Sequence, residues 1–135
     1  MARMLDSNVL LDIITADEGW LGWSTEQFRE ASVEGAILLN PVIYSELAPA
    51  FPSQAALDRW LRPTLFRRLP LTYEAAYRAS AAFSIYRERG GMKSSPLPDF
   101  YIGAQAEVER ITLVTRDAAR YRTYFPKVEL ITPEI

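Results

Sequence analysis

The chain has 135 residues, of which 49% are hydrophobic and 24% charged, and its formal net charge is −2. This length suits a single hydrophobic core, and the composition argues against disorder. The sequence contains no cysteine and no histidine. Disulfide scaffolds, thiol nucleophiles, histidine-based acid–base catalysis and the usual zinc sites are therefore excluded.

Hydrophobic periodicity, helix caps and turn residues predict alternating strands and helices. In chain order they are a strand at 3–5, helices at 7–14 and 25–33, a strand at 36–39, helices at 42–50 and 53–61, an edge strand at 66–71, helices at 72–89 and 98–108, a strand at 112–115, a helix at 118–124 and a strand at 128–131. Pro41 suits the first turn of the third helix, and Gly90-Gly91 ends the long fifth helix.

Apolar strands that alternate with helices favour an α/β fold, with a parallel sheet covered on both faces. No linker, repeat or low-complexity segment divides the chain, so we expect one domain over residues 1–135. Sheets of this kind bind ligands beyond the carboxyl ends of their strands, at the point where the strand order reverses.

Three aspartates lie at the starts of predicted helices or the ends of predicted strands. Asp6 directly follows the first strand, and Asp117 follows the fourth, so both fall at strand carboxyl ends. Asp99 follows Pro98 at the start of a helix. Taken singly, each is better explained as a helix cap, which contributes about 1 kcal/mol.

Glu46 is not explained as a cap. In a helix over residues 42–50 it shares one stripe with four apolar side chains, those of Val42, Ile43, Leu47 and Ala50. Glutamate is rarely buried without a partner, so this position favours a functional role. The alternative is a helix edge at which Glu46 reaches water.

A shared crevice would bring these four carboxylates into mutual repulsion. Two like charges about 4 Å apart cost roughly 4 kcal/mol at an effective dielectric constant near 20. A divalent cation offsets that cost, and an all-oxygen ligand set favours Mg²⁺ or Mn²⁺. Such a metal supports phosphodiester cleavage. The residue types therefore suit a metal site. Whether the four acids lie close together depends on the fold.

Four segments resemble the ordered motifs of PIN-domain nucleases, and most closely those of VapC-type toxins from type II toxin–antitoxin pairs. The segments are Leu5-Asp6-Ser7-Asn8, Tyr44-Ser45-Glu46-Leu47, Pro98-Asp99-Phe100-Tyr101-Ile102-Gly103-Ala104 and Thr115-Arg116-Asp117. One Asp-Ser-Asn motif is weak evidence. All four segments, in the right order and spacing over residues 4–132, are specific.

The resemblance implies a PIN-like three-layer α/β/α sandwich with a five-stranded, mainly parallel sheet. It implies a Mg²⁺-dependent endoribonuclease (with Mn²⁺ as the alternative metal) that cleaves single-stranded or structured RNA. It further implies a cognate antitoxin and a homodimer. Carried over by position, Asp6 and Asp99 are direct metal ligands, and Glu46 completes the site directly or through water. Asp117 is the fourth, more variable acid, which holds a second metal or orients water.

The resemblance also assigns supporting residues. Thr115 matches a hydroxyl that steadies a carboxylate or water, and Ser7 and Asn8 support the first aspartate without binding the metal. The sequence departs from the pattern at Gln105, where many similar sequences have histidine. Since an amide does not titrate, any role of that histidine is absent here, while the set of four acids is complete.

Basic residues are concentrated in the second part of the chain. Residues 1–60 carry nine acids and three bases, whereas residues 61–135 carry eight acids and twelve bases. Arg87, Arg89 and Lys93 precede Asp99 and are candidates for an RNA path, because basic groups contact phosphates. The alternative is a basic helix end stabilised by the helix dipole.

Two tryptophans, Trp20 and Trp23, lie between the first two predicted helices. Base stacking is one interpretation, but packing of the helical hairpin is favoured. In similar toxins this region contacts the antitoxin, so an apolar antitoxin helix in a groove here is a second hypothesis.

The N-terminal residues lack the pattern of a secretory signal, and polar residues and prolines interrupt the most apolar stretch, residues 35–51. We therefore expect no membrane segment and a cytoplasmic protein. Three other functions remain open. A phospho-accepting receiver would need a second acid where Ser7 and Asn8 stand, and a late lysine for which only Lys127 is offered. A catalytically silent RNA- or partner-binding module keeps the fold without the chemistry. A structure-specific DNA nuclease would need a longer chain for its helical arch.

Overall fold

The computed structural model describes residues 1–133, which form five strands and seven α-helices. In chain order they are β1 (Arg3–Leu5), α1 (Ser7–Ile14), α2 (Leu21–Glu34), β2 (Ile37–Leu39), α3 (Pro41–Leu47), α4 (Gln54–Trp60), β3 (Phe66–Arg68), α5 (Tyr73–Glu88), α6 (Pro98–Val108), β4 (Thr112–Val114), α7 (Ala119–Tyr124) and β5 (Leu130–Ile131). A short 3₁₀ helix, Ala48–Ala50, follows α3.

The five strands form one sheet in the order β3-β2-β1-β4-β5, and all four strand pairings are parallel. The chain leaves the central strand β1 first toward β3 and later returns to its other side with β4. Because parallel crossovers are right-handed, connections that run in opposite directions place helices on opposite faces. The predicted three-layer α/β/α sandwich is therefore confirmed, and its strand order reverses between β1 and β4.

The sheet interior is apolar, as expected for strands covered on both faces. β2 is buried over its whole length, and Met4 and Leu5 of β1 and Leu113 and Val114 of β4 are fully buried. No helix within residues 1–133 is long and apolar enough to cross a membrane.

Several element boundaries differ from the sequence prediction, and three of these differences have a local cause. α2 begins at Leu21 rather than at residue 25, so Trp23 lies inside the helix. The carboxylate of Asp17 accepts hydrogen bonds from two backbone N–H groups of the preceding turn and fixes this earlier start. The helix predicted to reach residue 50 ends at Leu47, because Pro49 lacks a backbone N–H. β3 ends at Arg68, since Pro70 interrupts the predicted strand.

Gly103 allows α6 to approach the segment that follows α7. A Cβ atom at this position would lie 2.5 Å from the ring of Phe125, which is completely buried. Real Cβ atoms do not make contacts this short, and a buried ring in a packed core has little room to move. The glycine in the segment around Asp99 is therefore explained by packing.

Gly103→Ala is expected to destabilise the protein by about 1–3 kcal/mol, because the added methyl group overpacks the core against Phe125. Chemical denaturation measures this change. Gly22→Ala is the matched control, since nothing lies within 4 Å of an added Cβ at that position in α2. The control is expected to stabilise by roughly 0.5–1 kcal/mol. Equal stability of Gly103→Ala and wild type would contradict the packing argument.

Candidate functional site

A cavity of about 350 Å³ opens at the carboxyl ends of β1 and β4, where the strand order reverses. All four acids singled out in the sequence line it: Asp6, Glu46, Asp99 and Asp117. The rest of its wall consists of Ser7, Asn8, Leu97, Pro98, Ile102, Arg120 and Tyr121. The fold therefore brings together acids from four separated segments of the chain.

Asp6 is the most buried of the four acids, with 6% of its surface exposed. One carboxylate oxygen accepts a hydrogen bond from the Ser7 backbone N–H at 2.8 Å and so caps α1. The other accepts from the hydroxyl groups of Thr115 at 2.9 Å and Tyr121 at 2.8 Å. Burial raises the pKa of Asp6, these hydrogen bonds oppose the rise, and the charge of Asp99 adds to it. Asp6 therefore caps α1 and also lines the cavity.

Glu46 lies on α3 and lines the cavity rather than escaping to solvent along the helix edge. Its Oε1 accepts a hydrogen bond from the Ser7 hydroxyl at 2.9 Å. Burial raises its pKa, the Ser7 hydrogen bond lowers it, and the charges of Asp6 and Asp99 raise it further. The hydroxyl of Ser7 and the backbone N–H of the same residue therefore support two different acids.

Asp99 and Asp117 do not cap helices, so the simple explanation from sequence is wrong for both. The N-cap of α6 is Leu97 and that of α7 is Ala118, and neither cap has a side-chain hydrogen bond. Both oxygens of Asp99 instead accept from Nη1 of Arg120, at 3.2 Å each. Asp117 lines the cavity from the loop between β4 and α7.

Thr115 links three parts of the site through one buried hydroxyl group. It donates to Asp6, and it accepts from the backbone N–H of Asp117 at 3.1 Å and from the amide of Asn8 at 3.2 Å. A hydroxyl has one donor and two acceptor positions, so all of its capacity is used. Thr115 thereby fixes the position of Asp6 relative to the loop that carries Asp117.

Two side chains of α7 were not anticipated from the sequence. Arg120 and Tyr121 are consecutive, and each contacts one acid, Asp99 and Asp6 respectively. Burial raises the pKa of Tyr121 well above its ordinary 10.0, with the Asp6 charge as the next cause, so its hydroxyl keeps the donated proton. The only signal in the sequence is their spacing of three and four residues after Asp117, which places them in the first turn of α7.

Three of the four acids, Asp6, Glu46 and Asp99, have hydrogen-bond partners among the neighbouring side chains. Within residues 1–133, no group of three or more acidic side chains is arranged to hold a metal ion as it stands. Hydroxyl groups and a guanidinium contact Asp6, Glu46 and Asp99 instead. The donor set is nevertheless made of carboxylate oxygens, which suit hard cations such as Mg²⁺ or Mn²⁺. Burial is the main cause of the raised pKa of Asp6 and of Glu46, and the charges of neighbouring acids add to it.

Gln105 has a structural place that its sequence context did not reveal. It is completely buried, and its Oε1 accepts a hydrogen bond from Asn40 at 2.8 Å. Its Nε2 donates to the Pro70 carbonyl and to Glu109. Asn40 in turn accepts from the Ile43 N–H and caps α3. The amide therefore supplies an acceptor and two donors that together anchor the start of the helix carrying Glu46.

The three basic residues proposed for an RNA path lie outside the wall of the cavity. All three are exposed, and Arg87 donates to the backbone carbonyl of Lys93 at 2.7 Å. The guanidinium of Arg89 lies 5.5 Å from the ring centroid of Tyr124, which lines a neighbouring concavity together with Asp99. Their role in RNA binding stays a prediction.

The hairpin of α1 and α2 is connected to the site by a partly buried ion pair. Trp20 and Trp23 pack edge to face with ring centroids 6.1 Å apart, in agreement with the packing interpretation. Arg116 stacks over Trp20 and makes two hydrogen bonds to the buried Asp12, at 2.8 and 2.9 Å. Ser24 donates to the same carboxylate. Since Arg116 lies between Thr115 and Asp117, this pair fixes the loop that carries both.

Comparison with known proteins was made at the level of families and of solved structures. The family model described as PIN domain matches residues 3–126. A chain of VapBC2 from Rickettsia felis, bound to a promoter DNA fragment, is 17% identical, with a TM-score of 0.73 and coverage of 99% of this chain and 100% of that chain. A chain of VapBC-1 from nontypeable Haemophilus influenzae is 15% identical, with a TM-score of 0.72 and 98% coverage of both chains.

A toxin–antitoxin complex from Klebsiella pneumoniae contains a chain that is 20% identical, with a TM-score of 0.69 and 98% coverage of both chains. A search of curated proteins gave no match. Similarity at these identities shows the fold and agrees with the α/β/α sandwich.

Glu46→Gln is expected to raise the melting temperature at about pH 7 in EDTA. Burial raises the pKa of Glu46 above its ordinary 4.5, so the folded protein binds this proton more tightly than the unfolded chain does. Wild type therefore loses stability as the pH rises from 4.5 through the folded pKa, whereas the amide does not titrate.

The two proteins are expected to melt together well below pH 4.5, where the carboxyl group is protonated in both states. Glu18→Gln is the matched control, because Glu18 is exposed and outside the cavity wall. Thermal denaturation across this pH range measures the difference. A lower melting temperature of Glu46→Gln at neutral pH would show that the charge of Glu46 does not destabilise the wild-type fold.

Proposed function

Since this chain belongs to the PIN domain family, we propose that it is a divalent-metal-dependent endoribonuclease and the toxin of a toxin–antitoxin pair. One observation carries the proposal: a single cavity at the carboxyl edge of a parallel sheet collects Asp6, Glu46, Asp99 and Asp117. An acidic cavity without a bound cation would repel a nucleic acid, so this site needs a counter-charge to accept a phosphodiester. A catalytically silent PIN-like module that binds RNA or a partner is the alternative.

The residues present fit Mg²⁺ or Mn²⁺, because every acidic ligand candidate in the cavity offers carboxylate oxygen. In this proposal Asp6 and Asp99 hold the metal directly, and Glu46 completes the site directly or through water. Asp117 holds a second metal or orients water. A divalent cation, when bound, supplies positive charge against the phosphate and makes water a better nucleophile.

The chain's own residues orient the acids and handle protons. Thr115 and Tyr121 fix Asp6 by donating to the same oxygen, and Asn8 in turn fixes Thr115. Ser7 donates to Oε1 of Glu46, whereas Oε2 accepts no hydrogen bond within residues 1–133. A carboxylate oxygen without a hydrogen-bond donor is available to accept a proton from attacking water. We assign Glu46 Oε2 this role.

RNA is the proposed substrate, in single-stranded or structured form, and Arg87, Arg89 and Lys93 are proposed contacts to its phosphates. Their exposure agrees with such a role, since phosphate contacts position a nucleic acid without reading its sequence. We further propose that the protein is cytoplasmic, because a nuclease of this kind would act on cellular RNA.

Cleavage of a random-sequence pool of labelled RNA is expected to require Mg²⁺ or Mn²⁺ and to stop in EDTA. Asp6→Asn and Asp99→Asn are expected to lower the rate by at least about 100-fold, because each removes a charged metal ligand. The matched control Glu18→Gln changes an acid outside the cavity and is expected to keep the wild-type rate. Sequencing of the pool identifies the cleavage site. Equal rates in wild type and both cavity variants would contradict the assignment of Asp6 and Asp99 to the active site. The absence of cleavage of any sequence would favour the catalytically silent module.

We also propose a cognate antitoxin and a homodimer. The structural neighbours described above are toxin–antitoxin complexes, which supports an antitoxin partner for this chain. The α1–α2 hairpin with its two tryptophans is the proposed antitoxin surface. For the homodimer, α5 exposes an apolar stripe at four-residue spacing: Tyr73 (96% exposed), Tyr77 (81%), Ala81 and Ile85 (42%). A second copy of the chain would cover this stripe.

Co-expression with the neighbouring small open reading frame, followed by pull-down, is expected to recover a complex. Light scattering of that complex is expected to give a mass with two copies of this chain, and Tyr73→Glu/Tyr77→Glu is expected to halve that number by placing charges on the α5 stripe. Glu74→Gln/Glu88→Gln on the same helix serves as the control. Absence of any complex contradicts the antitoxin proposal, and a two-copy mass in the tyrosine double variant contradicts the dimer face.

A further inference from the structure

Arg120 is the only basic side chain among the described residues that line the cavity of the four acids. It projects from the first turn of α7 beside Tyr121. The acids, their hydroxyl partners and water act in the proposed cleavage, whereas Arg120 has no role in it. The contacts of the Arg120 guanidinium indicate a role in substrate binding.

The guanidinium is only partly used by its partner. A single nitrogen, Nη1, donates to both oxygens of Asp99 at 3.2 Å, which is longer than the usual 2.7–2.9 Å of a charge-assisted hydrogen bond. Nε and Nη2 donate to no hydrogen bond within residues 1–133. The planar edge that binds a carboxylate or phosphate through two parallel hydrogen bonds is therefore free.

Aromatic packing holds the guanidinium at the cavity independently of Asp99. Its central carbon lies 5.5 Å from the ring centroid of Phe100 and 5.6 Å from that of Tyr86. The two partners of the ion pair are each about one-third exposed, at 34% for Arg120 and 29% for Asp99. A pair this exposed contributes little to stability, so the fold does not depend on it.

The two oxygens that Arg120 contacts belong to an acid that we assign to the metal. A divalent cation on those oxygens would repel the guanidinium and compete with it for the same lone pairs. Arg120 would then lose Asp99 but keep its aromatic contacts, with a free hydrogen-bonding edge at the wall of a cavity that must receive a phosphate. Arginine is well suited to bind phosphate through such an edge.

We propose that Arg120 binds a phosphate of the RNA substrate through its free guanidinium edge, and that Asp99 holds this side chain only while no metal is bound. The proposal rests on the proposed function, since it takes the substrate to be RNA and Asp99 to be a metal ligand. It adds a substrate-binding residue to a site otherwise made of acids and hydroxyl groups.

The first test measures RNA affinity without turnover. A fluorescent random-sequence single-stranded RNA pool is titrated with protein in Ca²⁺, with RNA integrity checked on a gel. Arg120→Gln is expected to weaken binding about tenfold, and to flatten the logarithmic salt dependence by about 0.7, the contribution of one phosphate contact in single strands. Arg120→Lys keeps the charge and is expected to retain the salt slope with weaker binding.

Arg122→Gln is the matched control, because Arg122 lies on the same helix and outside the cavity wall, and donates to Thr132. It is expected to change affinity less than about threefold. RNA affinity of Arg120→Gln equal to that of wild type, whether both bind or neither does, overturns the phosphate contact.

The second test measures Mn²⁺ binding by calorimetry, without RNA. Arg120→Gln is expected to bind Mn²⁺ several-fold more tightly than wild type, because no guanidinium competes for Asp99, whereas Arg122→Gln is expected to match wild type. Unchanged Mn²⁺ affinity in Arg120→Gln overturns the competition at Asp99. If wild type binds no Mn²⁺ at all, the proposed function fails. If wild type cleaves RNA with Mn²⁺ while Arg120→Gln behaves as wild type in both tests, only the role of Arg120 fails.

Discussion

Repulsion among four carboxylates around one cavity is the constraint on which the rest of the site depends. Two such charges about 4 Å apart cost roughly 4 kcal/mol at an effective dielectric constant near 20. The fold offsets this cost with hydrogen bonds from three hydroxyl groups, those of Ser7, Thr115 and Tyr121, and with one guanidinium. Burial, with a smaller contribution from neighbouring charge, still raises the pKa of Asp6 and Glu46, so it disfavours their charged forms. A cavity lined by four carboxylates favours a ligand that carries positive charge.

The strand register determines which groups can meet. β1 pairs with β4 so that Leu5 lies opposite Val114, and the Asp6 N–H donates to the Val114 carbonyl at 2.9 Å. The next residues, Asp6 and Thr115, therefore leave the sheet side by side and bond directly. α7 then returns over the same edge and adds donors to two acids. The site is thus a product of sheet pairing and of the helix that follows β4.

Much of this arrangement was predictable from local sequence. The alternation of apolar runs and helices predicted the sheet, and the position of Asp6 at the end of β1 predicted a place at its carboxyl edge. Glu46 was recognised because an acid in an apolar stripe needs a partner. The cap explanation suited Asp6 but was wrong for Asp99 and Asp117, since caps are set by backbone geometry that a sequence motif does not specify.

Contacts between distant segments could not be predicted from the sequence. Arg120 and Tyr121 looked like ordinary residues of a short helix, because nothing local reveals that α7 returns to the acids. Gln105 was read as the loss of a titrating group, whereas its burial against Asn40 makes it part of the support of α3. The ion pair of Asp12 and Arg116 joins residues 104 positions apart and was equally hidden.

The central claim is that these acids form one site for a hard cation, although three of them already contact side chains of the protein. Anomalous diffraction from crystals soaked in Mn²⁺ tests it most directly. We expect a strong peak between Asp6 and Asp99 within reach of Glu46, with the guanidinium of Arg120 moved away from Asp99. Saturating Mn²⁺ that leaves the cavity without a peak, and Arg120 still on Asp99, would contradict it.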